Sequence, residues 1–454
     1  MNLKPYPDYK HCKTAWLPKI PSHWLEAQLR TCIEFIANGI TATQIEQGEE
    51  TVPVTRIETI STGRFNPEKA GHISRQEADP RRRMEVGDIS LSNINSLSMI
   101  GNCAMLESPT ELYAGMNLLH IRPSRDCFPE WLAWSFRNSQ FRDDIESRAK
   151  PAINQASISQ GGLKSIRIPI PPLEEQIQIS RFLHHETAKI DALIAEQQRL
   201  IELLQEKRQV VISHAVTKGL NPNAPMKDSG VEWLGEVPEH WSIKQIKHLC
   251  ISIEQGWSPQ CENEPSEGDA PGVLKVGCVN GGLFRPSENK KLPPELAPVP
   301  QYSVKIGDLL VSRANTKELV GSVAVAAEDF PWLYICDKLY RITIKPQSSS
   351  SKYLALYLAS REARGQIELG ASGASPSMQN ISQSVLLDMS IPVPQLDEQE
   401  SIRNDITIQC DQIDQLTAKV MEAIRLFQER RSALISAAVT GQIDVRGLTE
   451  EVAA

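Results

Sequence analysis

Two short polar loops hold the side chains whose chemistry is most recognisable in this sequence: Ser92-Asn93-Ile94-Asn95-Ser96 and Ser312-Arg313-Ala314-Asn315-Thr316-Lys317. Presented from loops, these residue types match the donors and acceptors on base edges, which is what direct readout of DNA requires. Each loop follows an apolar run, Ile89 to Leu91 or Leu309 to Val311, that reads as a strand. Arg56 aligns with Lys275 when the two halves of the chain are compared, and Asn154-Gln155 aligns with Ser377-Met378-Gln379-Asn380. These pairs are candidate phosphate or base contacts. The triplet Arg81-Arg82-Arg83 suits a phosphate backbone, and equally a solvated face. The candidate DNA-binding set is Arg56, Arg82, Arg83, Ser92, Asn93, Asn95, Asn154 and Gln155 in the first half, with Lys275, Arg313, Asn315, Thr316, Lys317, Gln379 and Asn380 in the second.

A catalytic reading needs a constellation that this sequence does not supply. It contains no G-x-x-x-x-G-K-[ST] phosphate loop, no Gly-rich dinucleotide fingerprint, no H-E-x-x-H, and no Asn-Pro-Pro-Tyr or Asp-Pro-Pro-Phe type methyltransferase motif. Glu288-Asn289-Lys290 offers only the E-x-K half of a nuclease signature. His23 and His240 stand beside Trp24 and Trp241, where a packed imidazole is expected rather than a base. His184-His185 has Thr407-Ile408 as its counterpart, which argues against a metal role. Nine scattered cysteines without a C-x-x-C pair fit neither a zinc site nor a disulfide framework. No catalytic or metal-ligating residue is expected; the alternative is a self-contained DNA methyltransferase or nuclease with an unrecognised active site.

The elements that must position the polar loops are written twice. Trp16-Leu17 with Pro21, His23 and Trp24 returns as Trp233-Leu234 with Pro238, His240 and Trp241. Ile168-Pro169-Ile170-Pro171-Pro172-Leu173-Glu174-Glu175-Gln176 returns as Ile391-Pro392-Val393-Pro394-Gln395-Leu396-Asp397-Glu398-Gln399. After each of these, mostly apolar residues recur at alternating spacings of four and three, with an arginine at the equivalent place in both. Ile190, Ile194, Gln197, Ile201, Leu204, Arg208 and Val211 form one seam, and Ile413, Thr417, Val420, Ile424, Phe427, Arg431 and Leu434 the other. That rhythm predicts two long helices with a coiled-coil seam, able to lie antiparallel or simply to brace the domains.

Between the helical segments the texture is short β-like runs (Val52 to Ile57, Leu118 to Ile121, Val273 to Val276, Tyr340 to Ile344) followed by helical patterns at Glu130 to Arg148 and Ser351 to Leu369. The expected fold class is α+β: two similar globules joined by two long coiled-coil helices that could lie antiparallel, with an internal pseudo-two-fold repeat. The expected division is a globule at 1–167, a helical spacer at 168–217, a linker at 218–232, a second globule at 233–390, and a helical spacer with tail at 391–454. Landmarks inside the globules also recur: Gly87-Asp88-Ile89 with Gly307-Asp308-Leu309, Ile100-Gly101 with Val320-Gly321, and Ile158-Ser159-Gln160 with Ile381-Ser382-Gln383. Between them the copies differ freely, through drift or through different specificities on a common fold.

At 454 residues, more than one core is expected. With 41% apolar and 23% charged residues, no apolar run long enough to span a membrane, and no signal peptide in MNLKPYPDYK, the cytoplasm is the expected location and no membrane partner is expected. The net charge of −8 is unusual for a nucleic-acid binder. Residues 25–160 carry 14 Lys+Arg against 18 Asp+Glu, and residues 242–380 carry 15 against 14. Any DNA surface must therefore be a patch.

Taken together, the doubled Trp-Leu-(x)3-Pro-x-His-Trp motif, the doubled Ile-Pro-(Ile/Val)-Pro-x-Leu-x-Glu-Gln segment and the long helices ending in Ile212-Ser213-His214-Ala215-Val216-Thr217 and Ile435-Ser436-Ala437-Ala438-Val439-Thr440 resemble the specificity subunit of type I restriction-modification systems. The resemblance covers nearly the whole chain. It implies two target-recognition domains, each binding one half of a bipartite, asymmetric double-stranded DNA site across a nonspecific spacer. It also implies no catalytic centre and no cofactor in this chain. S-adenosylmethionine, ATP and magnesium would act in partner subunits, two methyltransferase and two restriction/translocase subunits.

Overall fold

The computed structural model describes residues 4–14, 16–153, 155–375 and 378–448. The chain forms two compact units, Met1–Gln198 with Glu422–Ala454, and Arg199–Met421. Each is built around an antiparallel four-stranded sheet of the same order. In the first the order is Ile33–Asn38, Leu118–Pro123, Ile89–Ser92, Cys103–Met105; in the second it is Cys250–Gln255, Leu339–Ile344, Leu309–Ser312, Val323–Val325. Two helices cover each sheet, Pro129–Phe136 with Ser139–Arg148 and Ser351–Leu358 with Arg361–Gly370. The helical patterns expected at Glu130 to Arg148 and Ser351 to Leu369 are each divided into two helices. The break falls where Asn138 or Ser360 turns its side chain back to accept the backbone N–H of Gln140 or Ala363, starting a new helix. Trp131, Phe136 and Phe141 fill one core, and Tyr353, Tyr357 and Ile367 the other.

The recurring landmarks are backbone necessities. Gly101 (φ +81°) and Gly321 (φ +77°) turn the chain so that their N–H groups return to the carbonyls of Ser92 and Ser312, both at 2.8 Å. Ser159 and Ser382 cap the short helices Gln160–Lys164 and Gln383–Leu387. Gln176 and Gln399 are buried at the start of the long helices. Gln176 donates to the Pro171 carbonyl at 2.9 Å and accepts from the Phe128 N–H at 2.8 Å. Gln399 donates to Pro394 at 3.0 Å and accepts from Ser350 at 2.9 Å. Each glutamine thus ties a long helix to the globule packed on it.

The long helices run Leu173–Lys218 and Leu396–Val439, each with two acids in its first turn, where the helix dipole favours negative charge. Every expected seam residue is buried or partly buried, while Leu193, Leu200, Leu203, Val210, Leu416, Met421 and Leu426 beside the seam are exposed. The paired seam arginines have paired answers. In the first unit Arg431 donates to Asp191 at 2.8 Å, and in the second Arg208 pairs with Asp414, its equivalent. Early residues of one helix meet late residues of the other, so the helices are antiparallel in each unit.

Glu175, in the first turn of its helix, collects the Trp24 indole N–H at 2.8 Å, the Tyr6 hydroxyl at 3.1 Å and the His23 ring at 2.6 Å. His240 meets Glu398 at 2.9 Å in the same way. The histidines are therefore anchors of the Trp motif.

Two boundaries need correction. Segment 218–232, expected to be a linker, contains the strand Met226–Asp228, which pairs with Glu236–Pro238 as Tyr9–His11 pairs with Lys19–Pro21. It is the second copy's N-terminal strand, hidden in sequence by its Gly, Pro and Asn. The tail after the second long helix belongs to the first unit's core: Gly441 (φ +71°) lies under Pro21 and Trp24, Val445 is fully buried, and the Asp444 N–H bonds to the Lys4 carbonyl at 2.8 Å. No helix among the described residues is long and apolar enough to cross a membrane.

Beside the shared lobe, each unit carries a second lobe in which the copies part. In the first it holds the hairpin Thr51–Val54 and Gly71–Ser74 and three small apolar clusters. In the second it is a four-stranded sheet, Asn289–Lys291, Gly272–Leu274, Phe330–Tyr334, Ser303–Val304, over one larger core around Val273, Val279 and Leu333. The copies therefore agree where they pack on the long helices and differ in the lobe beyond.

Candidate nucleic-acid interface

Each polar loop becomes the edge of a three-stranded sheet whose other strands form a hairpin. In the first unit Ile94–Asn95 pairs with Gln155–Ser157, which pairs with Lys150–Ala152; in the second Ala314–Asn315 pairs with Met378–Asn380, which pairs with Ser372–Ser375. The junctions match. Ile158 donates to the Asn93 carbonyl at 2.9 Å and Ile381 to the Arg313 carbonyl at 3.0 Å. A strand pair rooted in this way projects as a ribbon, a shape that the major groove accepts.

Charge singles out the same surface. Residues 149–173 and 89–106 contain no Asp or Glu, although the chain holds 56 acids, and 369–387 contains no charged residue at all. Phosphate repulsion is thereby removed from the hairpins and from the first polar loop, while the net charge stays negative. The acid-free runs were visible in the sequence and went unused there.

The structure brings some candidates together and withdraws others. Ser92 is fully buried and accepts the Asn95 amide at 3.2 Å, so it builds the loop and is not available to DNA. Asn93 is 8% exposed, and its main role is the carbonyl that roots the hairpin. Asn95 and Asn315 share one geometry: the amide donates to Ser92 or Ser312, and the side-chain oxygen accepts the N–H of Ser96 (2.8 Å) or Thr316 (2.9 Å). Both are partly exposed but largely occupied with shaping the turn. Gln155 and Lys317 are exposed; Arg313, Thr316, Gln379 and Asn380 are partly so. Gln379 donates to the Ser375 carbonyl at 2.7 Å, bracing its hairpin. Asn154 lies outside the described residues, as does Ser377.

Arg56, Arg82, Arg83 and Lys275 sit on the divergent lobes. Arg56 lies 3.4 Å from Glu58, Arg82 donates to the Asn38 carbonyl at 2.9 Å and stacks on Phe35, and Arg83 is exposed without a side-chain partner among the described residues. Asn38 also accepts from Gln160 at 3.3 Å, linking Arg82 to the hairpin foot. In the second unit Asn280, soon after Lys275, accepts from Asn315 at 3.3 Å. Sequence reading passed over both asparagines because their partners are distant in the chain.

The chemistry elsewhere is structural. A cleft of about 1070 Å³ in the first unit is lined by Arg137, Arg142, Asp191 and Arg431, whose polar ends are engaged with Gly63, Ser98 and one another. Asn289 of the E-x-K tripeptide is buried and ties Ser266 to Pro286. Among the described residues no group of three or more His, Cys, Asp or Glu could hold a metal ion.

Two like units, each with a hairpin-and-loop sheet on a shared scaffold and a lobe of its own, define a duplicated recognition protein with paired helical segments. Residues 21–204 and 238–424 both match the type I restriction modification DNA specificity domain, and the chain belongs to that family. It is similar to a putative type I restriction enzyme MjaX specificity subunit of Methanocaldococcus jannaschii, 30% identical over 96% of this chain and 97% of that protein. It is also similar to the EcoEI specificity subunit of Escherichia coli, 31% identical over 53% of this chain and 40% of that one. A solved chain from work on complex assembly and conformational transition of the type I R-M system shares the fold, with a TM-score of 0.69 at 18% identity, covering 93% of this chain and 99% of that one. Membership in that family gives this chain the role of recognising DNA sequence.

Proposed function

We propose that each unit reads one half of a bipartite, asymmetric double-stranded DNA site, and that the long helices set the spacer and dock two methyltransferase subunits. The observation that supports this most directly is the pairing of sameness and difference. The hairpin sheet on its polar loop, and the packing of the lobe that carries it on the long helices, are the same in both copies, whereas the adjoining lobes differ in strand number and core. Shared partners favour the first and unlike half-sites the second. Two restriction/translocase subunits complete the complex, which works in the cytoplasm. S-adenosylmethionine, ATP and magnesium act in those partners. Any phosphate contacts come from Arg83, Lys317 and their neighbours, base contacts from Gln155, Arg313, Thr316 and Asn380.

The test is the methylation map of host DNA with and without this chain. A split motif that vanishes on deletion is expected; a palindromic or unchanged motif would overturn the reading. Turnover by the purified chain alone, given DNA, magnesium and S-adenosylmethionine, would favour the enzyme alternative. The helices offer a second check. Inserting about four residues into both lengthens each by roughly 6 Å, so the motif should keep its half-sites and gain about two base pairs of spacer. An unchanged spacer would remove the ruler role.

A further inference from the structure

Ile153 is the most exposed large apolar side chain among the described residues, at 94%. It stands at the turn of the hairpin Lys150–Ala152 and Gln155–Ser157, where no described residue covers it. The position is not a loose end. The inner strand is registered on the polar loop, Ala156 against Asn95 and Ser157 against Ile94, and the root is closed by Ile158 on the Asn93 carbonyl. Lys150 and Gln155 flank the turn and are exposed, and no acid occurs from 149 to 173. The second hairpin repeats the theme with Met378, 54% exposed, in a stretch without charge.

An acid-free ribbon with a cationic flank suits a polyanion, and a two-stranded ribbon fits the major groove. Hydrogen-bond donors and acceptors dominate the edges in that groove; the thymine methyl is its apolar feature. Isoleucine is stiff about χ1, so pressing it against a base edge orders little that is not already ordered. We propose that the first hairpin enters the major groove and that Ile153 packs on a thymine methyl of the half-site read by the first unit. The inference rests on the two-headed reading above and adds to it a residue that determines specificity.

The test uses the full chain assembled with its methyltransferase subunits, and duplexes carrying the motif obtained from the methylation map. Each thymine of both half-sites is replaced singly by uracil, which removes only the methyl. One replacement in the first half-site should weaken wild-type binding about five-fold. Ile153→Ala should lose about as much on the natural duplex and be indifferent to that uracil, whereas Ile153→Val should retain most of the affinity. A nearly fully exposed side chain is not needed for folding, and size-exclusion of the variant complex confirms intact assembly. The contact is overturned if Ile153→Ala binds like wild type, if the two losses multiply, if the first half-site holds no thymine, or if the variant fails in subunit assembly instead. Wild-type complex that prefers no bipartite duplex would sink the recognition reading itself, and the contact with it.

Discussion

Replacing Asp88 by alanine should destabilise the first unit by about 3 kcal/mol or more, while the same change at Asp308 costs distinctly less. Both aspartates occupy the Gly-Asp landmark and both accept a turn N–H, from Glu85 at 2.8 Å and from Lys305 at 2.9 Å. Their surroundings then diverge. Asp88 receives two hydrogen bonds from Arg122, both 2.8 Å, and one contact of 2.7 Å with the fully buried His120 ring. Burial pushes the Asp88 carboxyl up, but Arg122, His120 and the Glu85 N–H together hold it below the usual range. Asp308 is pushed up by burial, and the Lys305 N–H and Arg341, 3.5 Å away, only partly offset it. A depressed carboxyl gives stability that is present above its unfolded value, about 3.9, and is lost as pH falls through the lower folded value. A raised one favours the fold when protonated and loses that contribution as pH rises. Asp88→Ala should therefore remove Asp88's share of the acid-side loss of stability in the first unit, and Asp308→Asn should be tolerated near neutral pH. Hydrogen exchange in Ile89–Ser92 against Leu309–Ser312, with denaturant unfolding, measures both. Equal costs at the two sites would contradict the assignment.

The contrast shows what sequence could carry. Gly87-Asp88 and Gly307-Asp308 are legible as a pair because a turn with positive φ followed by a side-chain cap is a local demand. Which cation answers each aspartate is not local: His120 and Arg122 or Arg341 arrive on a strand more than 30 residues away. The seam arginines were legible from heptad spacing, but Asp191 and Asp414 were not, since acids open to solvent carry no periodic signal. The strand Met226–Asp228 was missed because three residues between turn-formers look like linker until a partner strand is known. At the interface the loops were found but not the individual readers. Ser92 and Asn95 have the right chemistry for bases, yet the loop consumes that chemistry to hold its own shape. Ile153 was passed over because a search for donors and acceptors does not look for an isolated aliphatic tip.

Exchanging the variable region of the second unit for that of a relative should rewrite one half-site and leave the other untouched. An exchange of residues 250–375 would cut the hairpin after Ser372–Ser375, separating it from Met378–Asn380. That exchange keeps the recipient's inner strand and donates the outer one. Carrying the donor segment through Ile381, to the Ser382 cap, moves the divergent lobe, the polar loop at Ala314–Asn315 and the whole hairpin as one set. Each mismatched base pair costs about 1–3 kcal/mol, so two altered pairs should invert the preference between old and new half-sites by roughly 30-fold to 10⁴-fold. The longer exchange should give the donor's half-site in full, the shorter one a relaxed or mixed site, as read from methylated motifs in cells carrying each chimera. Equal performance of the two would mean that the inner strand Met378–Asn380 reads no bases and that specificity resides in the lobe, the polar loop and the outer strand that both exchanges carry. A change in the first half-site would mean that the units do not read independently, because nothing in the first unit's sheet, hairpin or lobe has been altered.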